Sequence, residues 1–519
     1  MQKSKIISGT ISLTISTVIV KILGLIYKIP LSNLIGDEGM GYFNSAYAVY
    51  TFFFILCTAG VPKAIMIMIS EAKATNNKSE EIIVRTAMIS FLFLGTIVSL
   101  LFIVLANPLS NLIGNRKSAA TMIAIAPSII FISLSGVIRG YLSAEMRLLE
   151  ISVSQILEGV GKLVFGLIFA ILGVRLSLPL PIISALTILG VTFGAIIGLI
   201  YLYICSKNHK TDKITGQSMK CGFQKKIIAK IFSISLPITL SAGVMSITGM
   251  IDLALIRRGL SKIGYTESEA GAFYGNYTTL AVPMFNLVTA LIVPISIAFI
   301  PVFTQAHRSN DYRLLDDNVF EAFKMSSIFA APTMIGLLFF GKEILSLLYK
   351  NSEIEIGKLL LCLISPAIFF ASLLIILNSV LESCGMVKAP IYSMSLGALA
   401  KTIVSYILIS NPDIGISGAP IGTVACYAVA LICSIIIYTV KFKKPLPIFS
   451  SCFIPYVLAF ISVSTARYIF DQLEGLGEKN SLLLLTIFLC ALIYLGLLLF
   501  LGVVKLQKNE KIANYTNQI

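Results

Sequence analysis

Residues 18–36 read VIVKILGLIYKIPLSNLIG. The run is almost wholly apolar, yet Lys21 and Lys28 stand inside it. A lysine at the centre of a bilayer-spanning helix costs roughly 2.5–3.5 kcal/mol on insertion scales. Two of them in one hydrophobic segment call for a reason. They are seven residues apart, about two helical turns, so both ammonium groups share one face.

The rest of the chain sets the medium around that helix. Of 519 residues, 57% are hydrophobic and only 13% are charged, against roughly 25% charged in an ordinary soluble protein. A soluble core needs far less apolar residue, so the surplus is expected to face lipid. A ruler of about 20 apolar residues predicts fourteen spans. They lie near 6–35, 42–70, 82–106, 118–142, 150–173, 181–205, 228–256, 273–304, 319–341, 356–382, 389–410, 415–440, 449–470 and 482–504. The expected fold class is an all-α polytopic membrane protein. The apolar run after MQKSK is about twice a signal-peptide core and lacks an A-x-A cleavage site, so it reads as a retained first helix.

The net charge of +15 fits basic loops that obey the positive-inside rule better than a nucleic-acid surface, and no nucleic-acid partner is expected. About 23 of the 40 Lys and Arg fall on the side of the N-terminus and about 10 on the other, which places both termini in the cytoplasm. Nine Cys occur without CxxC spacing, and His209 and His307 both sit in polar stretches, so neither a metal site nor a His-based catalyst is expected. No Walker loop or nucleophile–base pair is present, which argues for a transporter over an enzyme.

The chain also repeats itself. KIISGTISLTIS from Lys5 matches KIFSISLPITLS from Lys230 at Lys, Ile, Ser, Thr and Ser, and Gly24 falls opposite Gly249. GYFNSAYAVY from Gly41 matches GAFYGNYTTL from Gly271, and GVGKLVF around Lys162 matches ALAKTIV around Lys401. Equivalent helices are six spans apart and enter the membrane in the same direction, the pattern of a parallel repeat. The expected organisation is an N-lobe over 1–220, a C-lobe over 221–447, and two extra helices with a tail over 448–519.

Two such lobes enclose a cavity, and buried charge in a transporter faces it. The cationic candidates are Lys21, Lys28, Lys63, Arg139, Lys162, Lys401 and Arg467; the acids are Glu158, Asp252 and Glu382. Gln155, Glu158 and Lys162 share one helix face, where Glu158 and Lys162 at i,i+4 read as an ion pair. Arg467, close to a helix end, reads as a snorkelling residue. For Arg139, snorkelling, a structural pair and a cavity role stay open, and Lys28 lies far enough out to snorkel. Lys21, Lys63 and Lys401 are deeper and lack a local partner, so they are placed in the cavity. Asp252 is the one deep acid without a partner, expected near Arg257 or a lysine of the first helix. The expected binding set is Lys21, Lys28, Lys63, Arg139, Gln155, Glu158, Lys162, Asp252 and Lys401. Its cationic excess suits an anionic headgroup such as a phosphate or pyrophosphate.

KILGLIYKIPLSNLIGDEGMGYFNSAYAVY from Lys21, then TAGVPKAI and SEA, resembles the opening of the Firmicute polysaccharide-export family. That family holds the stage V sporulation protein B group and related lipid II flippases, within the MATE-like superfamily. SGVIRGYLSAEMRLLEISVSQILEGVGK from Ser135 is similar to its helix 4–5 region. The resemblance spans the whole chain. It implies a flippase in a bacterial cell membrane, carrying undecaprenyl-pyrophosphate-linked sugars to the outer leaflet, with first-helix basic residues lining its cavity. Lys21 and Lys28 match those positions. No cofactor is expected, coupling to a monovalent cation gradient or to the membrane potential stays open, and the expected state is a monomer whose partners are membrane lipids and the lipid-linked anionic oligosaccharide. The chain departs from the family at Ser143-Ala144, Glu150, Gly159 and Met66-Ile67, and carries Lys63 one turn before the position where that family has a lysine. The competing readings are a cation-coupled multidrug exporter of the same fold and a membrane scaffold for envelope assembly.

Overall fold

The structure, a computed structural model, describes residues 2–58, 60–74, 80–207, 221–350, 353–386, 388–473 and 479–503. Among these residues the chain is helical throughout, with no strand. The N-terminal half contains α1 (Gln2–Thr58), α2 (Val61–Ala74), α3 (Glu80–Leu112), α4 (Ala119–Ile125), α5 (Ser128–Ala144), α6 (Leu148–Arg175) and α7 (Leu180–Lys207). The C-terminal half contains α8 (Cys221–Lys262), α9 (Glu267–Asn276), α10 (Val282–Arg308), α11 (Tyr312–Leu348), α12 (Ile354–Ile364), α13 (Pro366–Ser383), α14 (Ala389–Ile409), α15 (Gly418–Phe442), α16 (Ile448–Leu473) and α17 (Lys479–Phe500). The basic stretch around Lys210, Lys213 and Lys220 lies outside the described residues.

Among the described residues, eleven helical runs are long and apolar enough to cross a membrane, or twelve if the bent pair Arg116–Ile125 and Ser128–Ala144 is one span. Large apolar side chains on their outer surfaces, among them Phe93, Val104, Val440 and Phe449, stand open. In water that exposure would be a liability; in lipid it is the expected outer face. This is a multi-pass membrane protein.

The helices break where the backbone chemistry requires it. α1 turns back at Gly36, whose φ of 65° lies in the left-handed region that glycine adopts at little cost. The second expected span, 42–70, takes in the end of α1 and most of α2, which begins at Val61. Pro127 precedes α5 at a 41° bend, and Pro366 opens α13 after α12. Thr266 starts α9 with a reciprocal cap. The Glu269 N–H donates to the Thr266 hydroxyl at 3.3 Å, and the Thr266 N–H donates to the Glu269 carboxylate at 2.8 Å. α9 continues through a π-turn at Tyr277–Ala281 into α10.

Close helix contacts position the interior. A Cβ added to Gly194 of α7 would lie 2.4 Å from the Glu158 carbonyl oxygen, and one on Gly190 would lie 2.5 Å from the Gly166 nitrogen. α6 and α7 therefore pack backbone to backbone, the arrangement small residues permit in membranes. The two halves meet where two of the matching sequence stretches meet. A Cβ on Gly41 would lie 2.1 Å from the Gly271 carbonyl oxygen, and one on Gly275 equally close to that of Asp37. Arg257, fully buried, joins the same region: its Nε donates to Gly114 O at 3.0 Å and its Nη2 to Glu267 O at 2.7 Å.

Candidate functional site

The N-terminal half holds a cavity of about 460 Å³ between α1, α5, α6 and α7. Five of the nine residues expected to bind line it: Lys21, Arg139, Gln155, Glu158 and Lys162. The helical spacing on α6 delivers three of them. Residues 155, 158 and 162 step by three and four, so their side chains leave α6 on one face. The close α6–α7 contact fixes that face toward α1.

The charges inside are arranged differently from the local expectation. Glu158 does not pair with Lys162. Its Oε2 accepts from Arg139 Nη2 at 2.8 Å, across from α5. A guanidinium reaching from a neighbouring helix offers a fork of donors that an ammonium one turn away cannot match. Lys162 instead lies over aromatic rings, 4.5 Å from the centroid of Tyr47 and 5.5 Å from that of Tyr27. The negative faces of those rings hold the ammonium without neutralising it. Gln155 Oε1 accepts from Ser16 Oγ at 3.3 Å. Lys21 points to the cavity with no hydrogen bond or ion pair among the described residues. Three cations thus face one carboxylate, and the buried Arg139 Nε still lacks an acceptor among the described residues.

Sequence reasoning missed the aromatic wall. Tyr47, Tyr50 and Phe54 line the cavity beside Thr51. Their spacing of three and four along one helix face was the available signal. Flat rings next to cations suit a ligand with an anionic part and a planar or sugar-like part.

The other four expected residues lie elsewhere. Lys28 donates from α1 to the backbone oxygen of Thr278 at 2.9 Å, bridging the two halves. Lys401 of α14 forms an ion pair with Asp252 of α8. This corrects two expectations at once: Lys401 does have a partner, and Asp252 is not a free acid. Arg257 stays away from Asp252 because two backbone carbonyls hold it, at Gly114 and Glu267. Lys63 is exposed on α2 outside the cavity lining, where its charge acts on Glu382 at the end of α13. Arg467 does not snorkel alone. It bonds Glu343 at 2.8 Å and Asp471 at 3.0 Å, with its guanidinium 5.5 Å from the rings of Phe340 and Phe470.

Residues 6–307, more than half the chain, match the family described as polysaccharide biosynthesis protein. The chain belongs to that family. Residues 278–407 also match the MatE family. Among relatives of this family member, stage V sporulation protein B of Bacillus subtilis (strain 168) is 24% identical over 522 residues, taking in 99% of this chain and 98% of that protein. The lipid II flippase MurJ of the same organism is 23% identical over 453 residues, 83% of this chain and 81% of that one. In three dimensions the fold is that of a lipid II flippase MurJ in an inward closed conformation, with a TM-score of 0.72 at 15% identity, covering 94% of this chain and 98% of the other. An inward-facing multidrug resistance MATE family transporter of the MOP superfamily gives 0.64 at 14% identity over 82% and 94%. This member of the polysaccharide biosynthesis protein family is a multi-pass membrane protein with the fold that those two solved structures share.

Proposed function

We propose that this protein flips an undecaprenyl-pyrophosphate-linked oligosaccharide from the inner to the outer leaflet by alternating access. The observation that carries the reading is the N-terminal cavity, where Lys21, Arg139 and Lys162 surround a single carboxylate, Glu158. In a poorly screened site such an excess attracts a multiply charged headgroup. The pyrophosphate sits between Lys21 and Lys162, and the sugar lies against Tyr47 and Tyr50. The similarity to a lipid II flippase supports the cargo class. An anionic headgroup moving outward descends an inside-negative membrane potential, which supplies about 2.3 kcal/mol per charge per 100 mV. A multidrug exporter of organic cations fits the cavity less well, because its one carboxylate is already engaged by Arg139 and Asp252 by Lys401.

The architecture that goes with this reading has fourteen spans. The count follows when the first long run is divided at Gly36, the bent α4–α5 pair is one span, and α8 is included. Two six-helix lobes, 1–220 and 221–447, then face each other with both termini cytoplasmic, and 448–519 forms the appendix. The meeting of the Gly41 and Gly271 stretches supports an axis between the lobes.

Lys21 tests the cargo. Lys21→Ala should abolish appearance of labelled lipid-linked oligosaccharide on the outer leaflet of vesicles while expression and insertion stay normal. Lys21→Arg should retain most transport, and Lys21→Glu should fall below the alanine variant, since it adds repulsion. Equal transport by all three variants would refute the electrostatic reading.

A further inference from the structure

The bond from Lys28 has an unusual acceptor. In the π-turn Tyr277–Ala281, the N–H of Val282 donates five residues back to Tyr277 O. The next donor in that ladder would come from residue 283, which is proline and has no N–H. At this point the register returns from five residues to four, so Thr278 O and Thr279 O share one would-be donor, residue 283, and the proline withholds it from both. π-turns of this kind gather at functional positions. Two side chains make good the loss. Tyr349 Oη–H donates to Thr279 O at 3.1 Å, from within the same half of the chain. Lys28 Nζ donates to Thr278 O at 2.9 Å, from the opposite half.

Other hydrogen bonds surround this one and join the same two halves. The Lys350 N–H donates to Asn33 Oδ1 at 2.7 Å, and Asn44 Nδ2 donates to Thr279 Oγ1 at 3.0 Å. The Glu353 N–H donates to Asp37 Oδ2 at 2.9 Å. Lys28 differs from them in bringing a basic side chain to the contact, near enough to Lys162 for the two side chains to act on each other. A lone carbonyl is a modest partner for an ammonium. A phosphate oxygen is a stronger one, because both partners are then charged.

We propose that Lys28 is a latch between the two halves, held on the Thr278 carbonyl while the cavity is empty and drawn off it by an anionic headgroup. Transfer of the ammonium to the anion releases α1 from the π-turn, and the face around Gly36 and Gly275 opens. The release step rests on the anionic-lipid reading above; the latch itself rests on the proline-freed carbonyl.

The test is a distance. Spin labels on ketone-bearing residues placed at Leu112 and Ser346, both exposed and each beside this face in a different half, leave the native cysteines untouched. The full-length protein is measured in nanodiscs with and without undecaprenyl pyrophosphate, and with uncharged undecaprenol. Wild type should hold the short distance when lipid-free and lengthen with the pyrophosphate only. Lys28→Gln should populate the longer distance without lipid, roughly tenfold or more above wild type, the effect of one charge-assisted hydrogen bond. Lys28→Arg should stay short. Pro283→Ala, which returns a backbone donor to this turn, should loosen the face as Lys28→Gln does. Identical lipid-free distributions for wild type, Lys28→Gln and Pro283→Ala would overturn the latch. An open Lys28→Gln protein beside a wild type that ignores the pyrophosphate would uphold the tie, and would overturn release by an anion together with the cargo reading.

Discussion

Replacing Asp252 alone should destabilise this protein more than replacing Asp252 and Lys401 together. The two side chains form an ion pair between α8 and α14, with only 17% and 15% of their surfaces exposed. The other groups acting on Lys401 are Tyr277 and Cys426, neither of which brings a compensating charge at neutral pH. Each charged residue in mid-helix costs roughly 2.5–3.5 kcal/mol to place in a membrane. The pair offsets much of that cost. Asp252→Asn leaves an ammonium without a counter-charge, and losses of about 3–5 kcal/mol are usual when one partner of a buried pair is removed. Both partners keep some exposure, so roughly 2–4 kcal/mol is the expected loss for Asp252→Asn and for Lys401→Met. The double variant should return to within about 1 kcal/mol of wild type, since replacing both charges removes the penalty and the attraction together. The assay is unfolding of the purified chain by SDS titration in mixed micelles, read as a double-mutant cycle. A double variant that loses the sum of the two single losses would refute the reasoning, because the residues would then act independently.

Two further outcomes follow from the packing. Gly41→Ala and Gly275→Ala each drive a methyl to 2.1 Å from backbone oxygen on the facing helix. That backbone cannot rotate away, so each should disfavour the closed contact by about 1–3 kcal/mol. The distance between labels at Leu112 and Ser346 should lengthen, while Gly24→Ala, with nothing within 4 Å, should leave it unchanged. Arg467→Ala strands Glu343, whose side chain is only 10% exposed. The stability of the purified protein should fall by about 1–3 kcal/mol as a result. Unfolding equal to wild type would return Arg467 to the role of a free surface cation.

Part of the cavity was legible along the chain. The apolar surplus required a lipid-facing helical protein, and the steps of three and four between Gln155, Glu158 and Lys162 put them on one face, and all three line the cavity. Lys21 and Arg139 also reach that cavity. The partners of these charges were not legible. A local rule joined Glu158 to Lys162, but Arg139 arrives from another helix with better donors. Lys401 has no counter-charge within two turns of its own helix, and Asp252 looks in sequence to Arg257 or a first-helix lysine, but α8 and α14 bring Asp252 and Lys401 together. Lys28 shared a face with Lys21 in the sequence, yet Lys21 reaches the cavity while Lys28 bonds a carbonyl that Pro283 deprives of its helical donor. By itself the sequence determined which residues are costly to bury and which face of its helix each one occupies, since both depend on local chemistry and a 3.6-residue period. Only the tertiary structure decided how each cost is offset, because a charge pairs with whatever donor or acceptor packing brings within about 3 Å, however far away that group lies along the chain.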